Sequence, residues 1–299
     1  MKRFLLIAVV AFAMYSCSRN TADCNISPID NRPDVEKMFL KGSVRYLDED
    51  YTQFGVEYTY HYQFNELGYL EVEELTVGGE REYMREYHYD ETGYKLLQTD
   101  IYTDDNDTII DGMITYDYNV NGSMLEITSY SADSTVQFIE VYRGVEGKKM
   151  EVSAYIGGNK DSLSRRDMFT YDEQCRKIKK ENLFPFTEAQ GNMSEFVYYG
   201  DTCREDFYFN GVLDMKRYTI GENKELPDKI IIESDGTVTD IAYTYDERGN
   251  EIQMMRKVIE DGDEMVYETT SGYEYDEYGN WTECKDTEHT VKRTISYFN

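Results

Sequence analysis

From Gly42 onward, apolar and polar positions alternate along the chain. Short runs rich in Tyr, Val, Ile, Thr and Phe are cut by clusters of Gly, Asp and Asn. Alternation with a period of two, punctuated by turn residues, predicts strands joined as hairpins. One stretch departs from this. Pro33 to Lys41 predicts a short helix, with Pro33 suited to its first turn and Gly42 to its exit.

The turns repeat. Tyr243–Ile252 reads YTYDERGNEI, and Tyr273–Thr282 reads YEYDEYGNWT. Two tyrosines spaced by two leave the same face of a strand. The Asp that follows suits the first position of a type I turn, and the Gly three residues later supplies a positive φ, as in a hairpin closed by a G1 bulge. Asp246 with Gly249, Asp276 with Gly279, and Asp90 with Gly93 share this spacing. Looser copies lead from Tyr62 to Gly68, from Tyr118 to Gly122 and from Tyr198 to Gly200, and after Tyr171-Asp172 a cysteine, Cys175, takes the Gly place. Degenerate copies are expected in the two wide gaps, the first near Val141-Tyr142-Arg143. The period is about 24–30 residues.

Between copies stand Gly78-Gly79, Asp111-Gly112, Gly157-Gly158, Asn210-Gly211, Asp235-Gly236 and Asp261-Gly262, all read as two-residue turns. Turns at both ends of every copy predict an all-β, antiparallel meander of roughly 16–19 strands. It would form one long twisted sheet, curling into an open barrel or spiral. A single copy cannot fold alone. Its few buried aromatics contribute about 1.5–3 kcal/mol each, whereas ordering its backbone costs about 1–2 kcal/mol per residue. The copies must stack into one cooperative domain over 41–299.

The first residues tell a different story. Lys2 and Arg3 precede an apolar run from Phe4 to Ala13, too short to span a bilayer and laid out like a secretory signal. Met14-Tyr15-Ser16-Cys17 resembles the lipobox of bacterial lipoproteins, although Tyr15 replaces the usual small residue. The resemblance implies removal of residues 1–16 and acylation of Cys17, with 17–40 as lipidated cysteine, polar tether and short helix. The alternative is an ordinary signal cut nearby, leaving Cys17 free. By the same likeness the chain is an exported bacterial protein, lipid-anchored at the outer membrane or cell surface.

Charge narrows the partners. With 59 acidic against 31 basic residues, the net charge is −28. A chain this acidic repels nucleic acid and anionic headgroups, so DNA, RNA and membrane-surface roles are rejected for the folded part. The 29 Tyr and 13 Phe argue against disorder. The strands lack a clean lipid-facing alternation, and mean hydropathy is −0.68, which argues against an outer-membrane barrel. Beyond Cys17 the cysteines are Cys24, Cys175, Cys203 and Cys284, with no CxxC pair. A Cys175–Cys203 bridge between neighbouring repeats and free, half-buried thiols are both open.

Candidate chemistry is sparse. His61 and His88 sit mid-strand in Tyr-His-Tyr, where a shared zinc site competes with two unrelated surface histidines. Asp105, Asp107 and Asp111 make the densest acidic loop, but an EF-hand would need a Gly and a final acid that are missing, so a solvated loop is expected. Asp107-Thr108-Ile109, Asp133-Ser134-Thr135 and Asp161-Ser162-Leu163 resemble O-glycosylation sites of Bacteroidota. No phosphate loop, nucleophile elbow or zinc-protease helix is present. Hence no catalytic residue, cofactor or metal is assigned. Trp281 is the one candidate ligand contact. The tyrosine face is read as core first and as a binding face second.

Tyr-x-Tyr-Asp-x-x-Gly-Asn resembles the YD repeat of RHS-type proteins, and more closely a group of Bacteroidota lipoproteins with degenerate YD-like repeats. Lys41-Gly42-Ser43-Val44 fits their opening strand, Tyr275–Thr282 their terminal hairpin and Arg293–Tyr297 their closing strand. The resemblance implies an architecture and an envelope location, and no activity. The expectation is therefore a non-catalytic envelope lipoprotein that binds or scaffolds an envelope protein or glycan. A carbohydrate-active hydrolase with its site on a concave sheet face, and a purely structural spacer, are the alternatives.

Overall fold

The computed structural model describes residues 32–104, 107–119, 124–145, 148–183, 191–286 and 289–298. The signal-like run, Cys17 and Cys24 lie outside the described residues. So do Asp105 and the side chains of Asp107 and Thr108, and with them the acidic loop.

Twenty-one strands are formed among the described residues, somewhat more than expected, and all pair antiparallel. They run from β1 (Val44–Gln53) to β21 (Thr290–Tyr297) as a meander in chain order, broken at one place. The first strand then pairs with the last, from Val44 opposite Tyr297 to Tyr51 opposite Val291. The sheet thus curls into a nearly closed barrel with one unsealed seam. β18 (Asp263–Thr270) is laddered to β17 (Glu251–Glu260), whereas β19 (Gly272–Tyr275) is laddered to β20 (Trp281–Lys285). No ladder joins β18 to β20, and the strand breaks at Ser271 between the two allegiances.

Among the described residues, helix is confined to α1, Asp34–Lys37. It is shorter than the predicted span because Phe39 enters the left-handed region at φ 57°, which ends the turn. Asp34 fastens it to the barrel, its carboxylate accepting from Leu70 N–H and Tyr89 O–H, each at 2.9 Å.

The two turn families occupy the two rims. At one rim, Asn65, Asp90, Asp172, Asp246 and Asp276 each accept, through side-chain Oδ1, from the backbone N–H groups two and four residues on. The residue three on, Gly68, Gly93, Cys175, Gly249 or Gly279, donates its N–H to the carbonyl of that same Asn or Asp and has positive φ. At the other rim, Asn210-Gly211, Asp235-Gly236 and Asp261-Gly262 turn with both φ positive, as a type I′ hairpin requires.

Two turn expectations need correction. Asp111-Gly112 does not turn. Gly112 lies within β6 (Asp107–Tyr118), opposite Asp100 and Ser131, beside a register shift between Asp100 and Ile101. A Cβ there would stand 3.0 Å from the Tyr130 carbonyl, so this glycine serves close backbone approach. Conversely, Phe54-Gly55 makes a turn the sequence concealed, with Phe54 at φ 53° and 97% exposed.

The paired tyrosines of the repeats share one face with the core, whereas Tyr46 stacks on His61 on the other. Leu47 stands opposite Tyr62, and Tyr51 stacks on Tyr58 with ring centres 4.9 Å apart. The main cluster gathers Leu40, Val44, Leu47 and Phe64, with Ile295 and Tyr297 from the closing strand packed on it. A smaller one holds Met150, Val152 and Tyr171. Cys203 and Cys284 are free, so the Cys175–Cys203 bridge does not form; Cys175 is itself disulfide-bonded.

Candidate functional site

Two neighbouring repeat turns, 246–250 and 276–280, build a cavity of about 240 Å³ where the N-terminal segment crosses them. Each Asp is wired three ways. Asp246 holds its own turn and also accepts from Tyr275 Oη of the next copy, and Asp276 likewise accepts from Tyr297 Oη. Burial opposes ionisation of Asp246, but hydrogen bonds from Tyr275, Asn250 and Arg248 outweigh it and hold the carboxyl down at about 2. Asp276 and Asp90 are lowered by bonds of the same kind, against the same opposing burial. The partner phenol of Tyr297 is pushed up to about 12, by burial first and by Asp276 second.

Asn280 joins the turn to the entering chain. Its Oδ1 accepts from Lys41 N–H at 2.7 Å, while its Nδ2 donates to the Lys41 carbonyl and to Tyr297 Oη, both at 2.8 Å. Lys41 is thereby fixed over the rim, and Phe39 forms part of the cavity wall.

The lining is rich in cations. Arg293 lies over the Trp281 indole, 3.4 Å from its centroid, and is bonded to Glu49 at 2.8 Å. Burial lowers its pKa, against the pull of Glu49. Arg248 stacks over Tyr275 at 3.9 Å. Gly279 has only hydrogen where other residues carry Cβ. That position is 3.5 Å from Lys41 Nζ and 3.7 Å from Arg248 Nε, so the two cations converge above one glycine. Among the described residues neither forms an ion pair, and no Asp or Glu lines the cavity. Trp281 is half-buried, edge-on to Tyr273 at 6.1 Å.

The tyrosine face holds carboxylates, but they are engaged. Glu73 accepts from Tyr83 and Tyr87, each at 2.8 Å, and Glu140 from Arg165 at 2.9 Å. A second depression, of about 460 Å³, includes Glu82, Asp100 and Asp111, with Asp100 bonded to Arg85 at 3.1 Å.

The predicted residues therefore part company. Gly249, Gly279 and Trp281 line one cavity, and Asp246 and Asp276 support it from behind, whereas Asp90 and Gly93 serve a distant turn under α1. There Gly93 faces Tyr69 closely enough that no Cβ would fit. Lys41, Arg248 and Arg293 were missed. Their signal, basic residues in a strongly acidic chain beside the repeat turns, was available. His61 pairs with Asp48 and stacks on Tyr46, and its register partner Glu74 faces Met84, not His88. No group of three metal-ligating side chains occurs among the described residues.

No protein-family model matches the chain, and no curated protein matches it. Solved structures similar to it include a porin-like protein from Bacteroides uniformis, with TM-score 0.41 and 11% identity, covering 86% of this chain and 98% of the other. A Bacteroides fragilis protein of unknown function matches at TM-score 0.29 and 10% identity, over 39% of this chain and 82% of the other. The TcdB2-TccC3 structure matches at 0.25 and 9%, over 78% of this chain and 17% of the other.

Proposed function

We propose that this chain is a non-catalytic, lipid-anchored protein of the bacterial cell envelope that binds a ligand at the 240 Å³ cavity. The observation that carries the reading is the lining of that cavity, where two cations converge and, among the described residues, neither has an ion-pair partner and no carboxylate lines the wall. A glycosidase site needs two carboxyl groups about 5–10 Å apart across its cleft. This cavity supplies donors without an acid–base pair, which counts for binding and against hydrolysis there. The envelope location rests on the basic start, the apolar run and Cys17.

Two measurements test the reading. Fractionation of the producing bacterium should find the chain with the membranes, and Cys17→Ala should release it. Incubation with a panel of aryl glycosides and polysaccharides should yield no new reducing ends. Turnover of any of them would overturn the non-catalytic reading, and membrane retention of the Cys17→Ala variant would overturn the anchor.

A further inference from the structure

We infer that the cavity over Gly279 binds a sugar ring carrying a carboxylate, such as a uronic acid unit of an acidic glycan. This rests on the binding reading above and names the ligand class for that site. Four features of the cavity lead to it.

The first is charge. Several basic side chains lack an ion-pair partner among the described residues, but here an ammonium and a guanidinium converge on one point, where a single anion would answer both. The second is space. Gly279 places no side chain between the two cationic nitrogens, which lie 3.5 Å and 3.7 Å from where its Cβ would be, and this leaves room for a carboxylate above the turn. Any side chain there would fill it. The third is the nonpolar wall. Trp281 and Phe39 flank the cavity, and the apolar face of a sugar ring packs on aromatic rings of this kind. Among the described residues the indole N–H has no hydrogen-bond partner, so it is free to donate to a ring hydroxyl. Phe39 is held in the left-handed region, which costs a bulky residue about 1–3 kcal/mol, and such outliers cluster at ligand sites.

The fourth is size. A cavity of about 240 Å³ falls below the ~300–1,000 Å³ that drug-sized ligands need, and suits one monosaccharide unit. A neutral sugar would leave the cations unpaired. Inorganic phosphate would leave the aromatic wall empty.

The protein carries its own reporter, because Trp281 is its single tryptophan. The full chain is titrated with glucuronate, glucose and inorganic phosphate while tryptophan emission is followed, and equilibrium dialysis with labelled glucuronate runs alongside. A saturable response to glucuronate is expected, at least tenfold tighter than to either control. Lys41→Gln and Arg248→Gln should each weaken it about tenfold. Both side chains reach solvent, so the fold should survive, which the melting temperature checks.

Failure of glucuronate to bind in dialysis overturns the proposal. So does phosphate binding as tightly as glucuronate, or undiminished binding by a variant carrying both Lys41→Gln and Arg248→Gln. An aryl glucuronide added to the same protein separates the two levels. If it is bound and cleaved, the site stands and the non-catalytic reading falls. If it is neither bound nor cleaved, the site falls and the non-catalytic reading stands.

Discussion

Tyr275 of one repeat donates its hydroxyl proton to Asp246 of the repeat before it. Tyr297 does the same to Asp276, so the Tyr-Asp pair in the sequence describes two different contacts. Within a copy the Asp shapes its own turn, and between copies the Tyr clasps the previous Asp. At the head of the barrel the preceding copy offers Asn65 instead, and Asp34 of α1 supplies the carboxylate for Tyr89.

Tyr275→Phe should therefore destabilise by about 1–2 kcal/mol while leaving ring packing intact. Asp246→Asn keeps the turn, as Asn65 does in its own copy, and should cost a similar amount. In a double-mutant cycle by urea unfolding, the pair should be coupled by about 1 kcal/mol. Additive losses would show that the bond contributes nothing to stability.

Acid should unfold the protein through these turns. Asp246 ionises at about 2 in the fold against an ordinary value of 3.8. A depressed carboxyl stabilises fully above its unfolded value and loses that contribution as pH falls through its folded value. Stability should thus be flat above about pH 5 and decline between about 4 and 2. In Asp246→Asn the decline should be shallower, as circular dichroism melts across that range would reveal.

Turn geometry predicts opposite signs at two sites. Phe54→Asn should stabilise by about 0.5–1 kcal/mol, because Asn tolerates the φ of 53° that Phe adopts under strain and no contact is lost. Gly249→Ala should destabilise by at least about 1 kcal/mol, given its φ of +88°. Calorimetric melting temperatures moving up and down respectively would bear this out.

Much of this was legible in the chain. Alternation of polar and apolar residues shows strands, and Asp with Gly three residues on shows the turns, because both depend on neighbours in sequence. Gly112 misled because a glycine at a bulge and a glycine at a turn look alike in a string. Phe54 was hidden because its turn is imposed by the strands around it. Curling was expected, but the pairing that closes it was not legible, since Leu47 carries no mark that it will face Ile295. The cavity was half visible. Trp281 stands out by rarity, whereas Lys41 reaches it only through a contact with Asn280, 239 positions away.

The free thiols should be sluggish. Burial raises Cys203 and Cys284 above the ordinary 9.0, outweighing the hydrogen bonds from Tyr198 and Tyr273 that favour the thiolate. Alkylation by iodoacetamide at pH 7.5 should run several-fold slower than for a free peptide thiol, and should quicken on unfolding. A rate equal to that of the peptide would contradict the burial.

Glu49→Gln should weaken the barrel at its closure. It leaves Arg293, whose side chain is only 13% exposed, without its counter-charge. Removing one partner of a buried pair costs about 3–5 kcal/mol, and the exposed fraction of Glu49 places this pair at the low end. Urea denaturation should register that loss, and amide exchange in β1 and β21 should quicken more than in strands far from the pair.

Glu49 and Arg293 lie 244 positions apart, and their meeting has a consequence in time. A chain that emerges N-terminus first delivers the second only after all the strands between them. Throughout that interval the opening strand waits with an unpaired edge, the kind of surface on which chains aggregate. Leu47, wholly buried in the finished barrel, stays uncovered on that side until the final strand arrives.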